Sequence, residues 1–336
     1  MLKIVIIPGH QAHDPFWDIY DVESRFFSPE RTKIFLGNKE KRICRFCNRD
    51  SSATTFKKQD HVIPEFMANK VLLSYFECDE CNLLFSKYEM ALSYYGGIMN
   101  TLALLNGKNG VPKFKGKNES LQVAFNRDKR LLNVRLKGSN IPINTKREDW
   151  QNYIESFKIS DDQKSITFKT NKPTYIPRDV YKALVKIGFG FLHPDNIYKY
   201  ERTRQWLINE IHESSITPST YFHVYKNHGK LFRSPLVLLA KKKNEFKAFP
   251  SPENALLIFY GLFRFQIFMP FNINDEWLNN ENEMYLLIEE HLVNNLKLNE
   301  DGSGTGETNK IDLFSIEPRV NEMDHISLNL SKGKFS

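Results

Sequence analysis

The sequence predicts an α+β protein: a short metal-stapled hairpin-and-helix core, followed by a larger, mainly antiparallel α+β region. Three observations carry this. All four cysteines fall in two Cys-x-x-Cys pairs, Cys44/Cys47 and Cys78/Cys81. Directly after the second pair, Leu84, Tyr88, Ala91 and Tyr95 recur at helical spacing. From about residue 119 the texture becomes alternating strands joined by turn residues.

A Cys-x-x-Cys pair sets two thiolates on one side of a tight turn. Two such pairs make a tetrahedral four-sulfur donor set of the kind structural Zn2+ prefers. The 30 residues between them (48–77) suffice for a hairpin and a loop that bring the pairs together. Disulfides are the competing reading, and they need an oxidising compartment. A rubredoxin-like iron site also has four sulfurs, but it leaves the residues between the pairs unexplained.

Those residues include Asp60-His61, expected near the end of a short strand that starts in the β-prone Thr54-Thr55-Phe56 and stops before Pro64. Asn82 opens the helix, so a zinc staple would set Asp60, His61 and Asn82 around one small space. A carboxylate and an amide oxygen are hard ligands suited to Mg2+ or Mn2+. A neighbouring imidazole can take a proton from water and aim it at phosphorus.

The order Cys-x-x-Cys, Asp-His-x-x-Pro, Cys-x-x-Cys-Asn resembles the HNH endonucleases, in particular their zinc-containing branch of bacterial stand-alone and defence-type nucleases. Phage junction-resolving endonucleases share the cysteine-then-asparagine arrangement. The resemblance spans roughly residues 40–116, about a quarter to a third of the chain, and includes TFKKQDHVIPEFMANK, ECDECNLLFSKYE and GKNGVPKF. It implies a ββα-metal core, with His61 as general base and Asp60 and Asn82 as ligands of the catalytic ion. The middle letter of the motif falls on Asn69, which would orient the histidine. Glu65 and Glu89 stand where this group often carries acids. Glu89, seven residues after Asn82, would share its helix face at a rise of roughly 10 Å, long for a common ion. The resemblance further implies a nucleic-acid substrate, DNA before RNA, and a setting such as restriction or anti-phage defence.

Composition frames this reading. The 336 residues are 41% hydrophobic and 26% charged, ordinary values for one large domain or two smaller ones. Residues 31–117 hold 15 Lys/Arg against 8 Asp/Glu, an excess of seven that equals the net +7 of the whole chain. A basic segment around a hydrolytic site suits a polyanion. Lys57, Lys58, Lys113 and Lys115 are the candidate phosphate contacts, with a solvated basic face as the plain alternative. No run of eighteen apolar residues is present, so no transmembrane helix is expected. No secretory signal is read in the opening LKIVIIPG, which together with reduced cysteines favours the cytoplasm.

The expected organisation is an N-terminal arm (1–37), a nuclease domain (38–118), an α+β accessory region (119–300), and a linker and tail (301–336). In the arm, LKIVIIPG reads as a strand and Lys33-Ile34-Phe35-Leu36 as another. His10, His13 and Asp14 form a weak metal-like cluster, while Phe16, Trp17 and Tyr20 read as packing residues. Further on, Leu121–Phe125 and Leu131–Leu136 form a hairpin, Ile166–Phe168 is a strand, and helices start at Pro177 and near residue 197. Strands are expected at 220–226, 235–240, 245–249 and 255–270, the last divided at Gly261. Arg264 and Gln266 would give that strand a polar face. Residues 283–296 read as a helix, and Asp301-Gly-Ser-Gly-Thr-Gly as a linker. No GxxxxGK[ST] loop is present, so no ATP-driven motor is expected. Nothing after residue 119 has the spacing of a catalytic site. That region is open to substrate grip, homodimerisation, or sensing of a regulatory ligand or partner. A reading from another class also stands: a zinc-ribbon module that binds nucleic acid or protein without cutting.

Overall fold

The computed structural model describes residues 3–8, 14–27, 32–115, 121–128, 131–136, 157–159, 165–212, 222–226, 231–281, 283–289 and 315–329. Its centre is a five-stranded antiparallel sheet in the order 222–226, 263–268, 254–261, 232–242, 20–27. The strand Asn254–Gly261 (NALLIFYG) is buried throughout, as its unbroken apolar run requires of a strand covered on both faces. Alternation sends its side chains to two cores. Leu256, Ile258 and Tyr260 enter the larger one, shared with the helix Pro177–Phe191 and the cysteine region. Ala255, Leu257 and Phe259 enter the smaller one, with Phe16, Ile19, Tyr20, Met284 and Leu286.

Gly261 ends this strand with φ +53° and lets the chain turn back into Phe263–Phe268. The expected split at Gly261 is thus a hairpin. A polar face on the returning strand is not found: Arg264 and Gln266 are both buried. Gln266 Nε2 donates to Leu287 O at 2.7 Å and its Oε1 accepts from Glu289 N at 3.0 Å, so the amide is absorbed by the neighbouring strand.

That neighbour is a second correction. Residues Glu283–Ile288 form a strand, paired in parallel with Lys3–Pro8, where a helix over 283–296 was expected. A short apolar run such as MYLLI fits either period, and burial in the smaller core decides for the strand. Residues 290–296 and the 301–306 linker lie outside the described residues. The strand expected at 245–249 is a 3-10 turn over Asn244–Phe246. Beside it, Lys242 Nζ donates to Ser251 O at 2.7 Å and Lys243 Nζ to Trp17 O at 2.9 Å. These lysines therefore tie the hairpin end to the neighbouring chain. The hairpin Leu121–Asn126 with Leu131–Leu136 and the strand Ser165–Asn171 are present. Asp14, from the cluster with His10 and His13, caps the short helix Pro15–Ile19 by accepting from Phe16 N at 3.0 Å; both histidines lie outside the described residues.

Against one face of the large sheet lies the helix Pro177–Phe191. It is buried almost all round, as its apolar content and its proline at the first position suit. Its C-terminal turn lies tight against the cysteine region: a Cβ on Gly190 would come within 2.8 Å of Val62 Cγ1. The chain around the cysteines is therefore packed into the large core and has no separate one of its own.

At Gly261 a Cβ would meet Ala103 Cβ at 3.1 Å while forcing an L-residue into the left-handed region. Gly261→Ala is expected to cost about 1–2 kcal/mol, read as a lower urea midpoint in equilibrium unfolding at unchanged m-value.

Candidate metal centre and active site

The first knuckle is closed by Asn48 N donating to Cys44 O and by Cys44 N donating to Arg49 O, both at 2.8 Å. Asn48 takes φ +58°, a left-handed value that asparagine tolerates well. The second knuckle is the first turn of the helix Asp79–Gly96, with Cys78 at its N-cap. The two meet so that all four sulfurs lie within 4.8 Å of one another, Cys47 and Cys78 at 3.7 Å. A tetrahedral zinc with bonds of about 2.3 Å requires sulfur–sulfur edges of about 3.8 Å. None of the four is in a disulfide.

The protonation balance of the cluster fits a cation. Hydrogen bonding from Cys81 brings Cys44 down to about 5, while the same contact drives Cys81 far up. Burial pushes Cys78 up to about 11. One thiolate, on Cys44, thus forms readily while Cys78 and Cys81 resist ionising beside it, a repulsion that a bound Zn2+ would remove. Arg49 Nε donates to Cys47 Sγ at 3.3 Å, adding positive charge at the rim.

Asp60 and His61 form a two-residue strand, paired antiparallel with Leu73-Ser74 and followed by the tight turn at Pro64. The expected start of this strand at Thr54–Phe56 is not present. Those residues instead wrap the N-terminus of the helix: Asp79 N donates to Thr55 O at 2.8 Å, and the Asp79 carboxylate accepts from Lys57 N and Lys58 N. Lys57 and Lys58 are exposed, as are Lys113 and Lys115.

Asp60 is 1% exposed, and its Oδ1 has no hydrogen-bond partner. Burial, and then the charge of Glu77, pushes its carboxyl up to about 8. A buried oxygen donor in this condition fits a cation ligand. His61 is half-buried, and burial lowers its imidazole below the ordinary histidine range despite the counter-pull of Glu65. Glu65 Oε2 lies 3.8 Å from His61 Nε2. Asn69 is fully buried. Its Nδ2 donates to Ile63 O at 2.7 Å and Leu72 O at 2.9 Å, its Oδ1 accepts from Leu72 N at 2.9 Å, and Nδ2 also lies 3.5 Å from His61 Nδ1. It pins the loop that returns from His61 to the strand Leu72–Ser74.

Asn82 stands half-buried in the first turn of the Asp79–Gly96 helix. Glu89, two turns on, is held by Lys186, whose Nζ donates to Glu89 Oε1 at 3.1 Å. The geometry thus joins His61 to Glu65 and Asn69 directly, and to Glu89 through a lysine from the second half of the chain.

Residues 44–89 match the family model for HNH endonuclease. No curated protein and no solved structure matches the chain. Among the described residues no helix is long and apolar enough to cross a membrane.

One zinc per chain is expected by atomic emission from protein purified without added metal. Cys81→Ser should lose the zinc and unfold well below the wild-type transition, because the second knuckle also starts the longest helix of this region. Residues 44–89, the stretch that matches the HNH endonuclease family model, contain both the four-cysteine cluster and the Asp60-His61 strand.

Proposed function

We propose that residues 44–89 form a zinc-stapled ββα-metal core that hydrolyses phosphodiester bonds in DNA, with Asp60 and Asn82 holding a divalent ion, Mg2+ or Mn2+. What carries the reading is the state of the Asp60-His61 pair: a buried carboxylate oxygen without a hydrogen bond, beside an imidazole that burial keeps neutral near pH 7. When bound, the ion supplies charge stabilisation at the phosphate and at the leaving oxygen.

The protein's own groups do the rest. His61 accepts the proton of the attacking water. Glu65, 3.8 Å from Nε2, stabilises the imidazolium that results. Asn69 holds the loop and with it the ring. The exposed Lys57, Lys58, Lys113 and Lys115 offer phosphate contacts. The concentration of the chain's net positive charge in residues 31–117 supports a polyanionic substrate.

The test is nicking of supercoiled plasmid, with linear DNA and RNA in parallel, in Mg2+, Mn2+ or EDTA across a salt series. Wild type should nick DNA with a divalent ion, fail in EDTA, and weaken as salt rises. His61→Ala should lose at least about 100-fold in rate with zinc and fold intact. Wild-type nicking by a folded, zinc-loaded His61→Ala, or no cleavage by wild type of any substrate, would favour the non-catalytic zinc-ribbon module.

A further inference from the structure

Lys186 lies on the helix Pro177–Phe191, outside the residues that match the nuclease family. It is 2% exposed. Its ammonium donates to the backbone oxygen of His61 at 3.0 Å and to Glu89 Oε1 at 3.1 Å, and lies 3.1 Å from Glu77 Oε2. Burial works against its charge, but the two carboxylates outweigh that and hold the proton on.

A buried cation with three oxygen partners on three separate segments fixes those segments relative to one another. The segments are the Asp60-His61 strand, the residue before the second knuckle, and the third turn of the helix that carries Asn82. The helix bearing Lys186 is itself clamped at its end: Arg45, inside the first knuckle, donates from Nη1 to the carbonyls of Phe189, Gly190 and Leu192 at 2.9–3.1 Å. Gly190 lets this helix approach Val62, the residue after His61. The helix therefore cannot slide without moving His61.

We infer that Lys186 is a positioning residue for cleavage, by which the C-terminal half of the chain completes the nuclease site through the main chain of His61. This rests on the reading of His61 as the general base. The nuclease segment on its own would then lack the group that holds its base in register, and the second half is part of the site whatever else it binds.

Lys182, one turn earlier on the same helix, supplies the control. It is equally buried, but its Nζ donates to Trp206 O and Asn209 Oδ1, away from His61. The experiment compares full-length wild type, Lys186→Met, Lys186→Met/Glu77→Gln and Lys182→Met. Glu77→Gln removes the carboxylate that Lys186→Met would leave buried without its cation, so the double variant keeps the fold. Circular dichroism and zinc content are checked first. Plasmid nicking is then measured, together with the 15N imidazole resonances of His61 at one fixed pH.

The folded Lys186 variant is expected to lose about 100-fold in kcat with little change in KM, the signature of a displaced base rather than weakened binding. Its His61 resonances should move, whereas Lys182→Met should match wild type in both. A folded, zinc-loaded double variant that nicks with wild-type kcat overturns the inference. If wild type cuts nothing, the endonuclease reading falls. The His61 resonances then decide the Lys186 contact alone, and unmoved resonances reject it.

Discussion

Four sulfurs within 4.8 Å of one another form a donor set that a single cation could hold, and the local structure is arranged around it. One knuckle is a turn closed on itself; the other is the start of an eighteen-residue helix. Between them hangs the strand that carries Asp60 and His61, too short to be stable alone. Its two pairs with Leu73-Ser74 persist because Val62, Ile63, Leu72 and Phe76 are buried in the same core as Cys44, Cys78 and Cys81. A metal held by the four sulfurs would tie the two knuckles together on top of this packing.

That region does not end where the family match ends. Phe46 and Phe85 pack edge-on, and Phe46 also contacts Phe189 of the buried helix. Arg204, from the following short helix, donates to Phe46 O at 2.7 Å. Arg45 and Arg204 thus reach across from opposite sides to satisfy carbonyls that the knuckle and the helix leave open. The apolar core runs without a break from the cysteines to the five-stranded sheet. Rigid support of this kind is what a base and a metal ligand need if their separation is to be held within fractions of an ångström.

The parts legible in the sequence are those whose signals are local. The cysteine spacing, the helix after Cys81, the hairpin around residues 126–131 and the turn at Gly261 each rest on a few neighbouring residues. The parts not legible depend on partners far away. Lys186 reads as a polar position in a helical pattern; only its approach to His61, 125 residues distant in sequence, makes it part of the site. Glu77 stands beside Cys78 and is easily passed over as spacing. The strand Glu283–Ile288 takes its conformation from Lys3–Pro8 at the other end of the chain. Thr54–Phe56 has strand propensity, yet the Asp79 carboxylate draws the following amides around a helix end, where hydrogen bonds outweigh propensity.

The most direct measurement of the account is a crystal structure of the zinc-loaded protein soaked in Mn2+, with anomalous maps at both metal edges. The account requires a zinc peak at the centre of the four sulfurs and a manganese peak within coordination distance of Asp60 Oδ1 and the Asn82 side chain, with the His61 ring facing it. Sulfurs paired as disulfides, or a manganese peak away from Asp60, would contradict it.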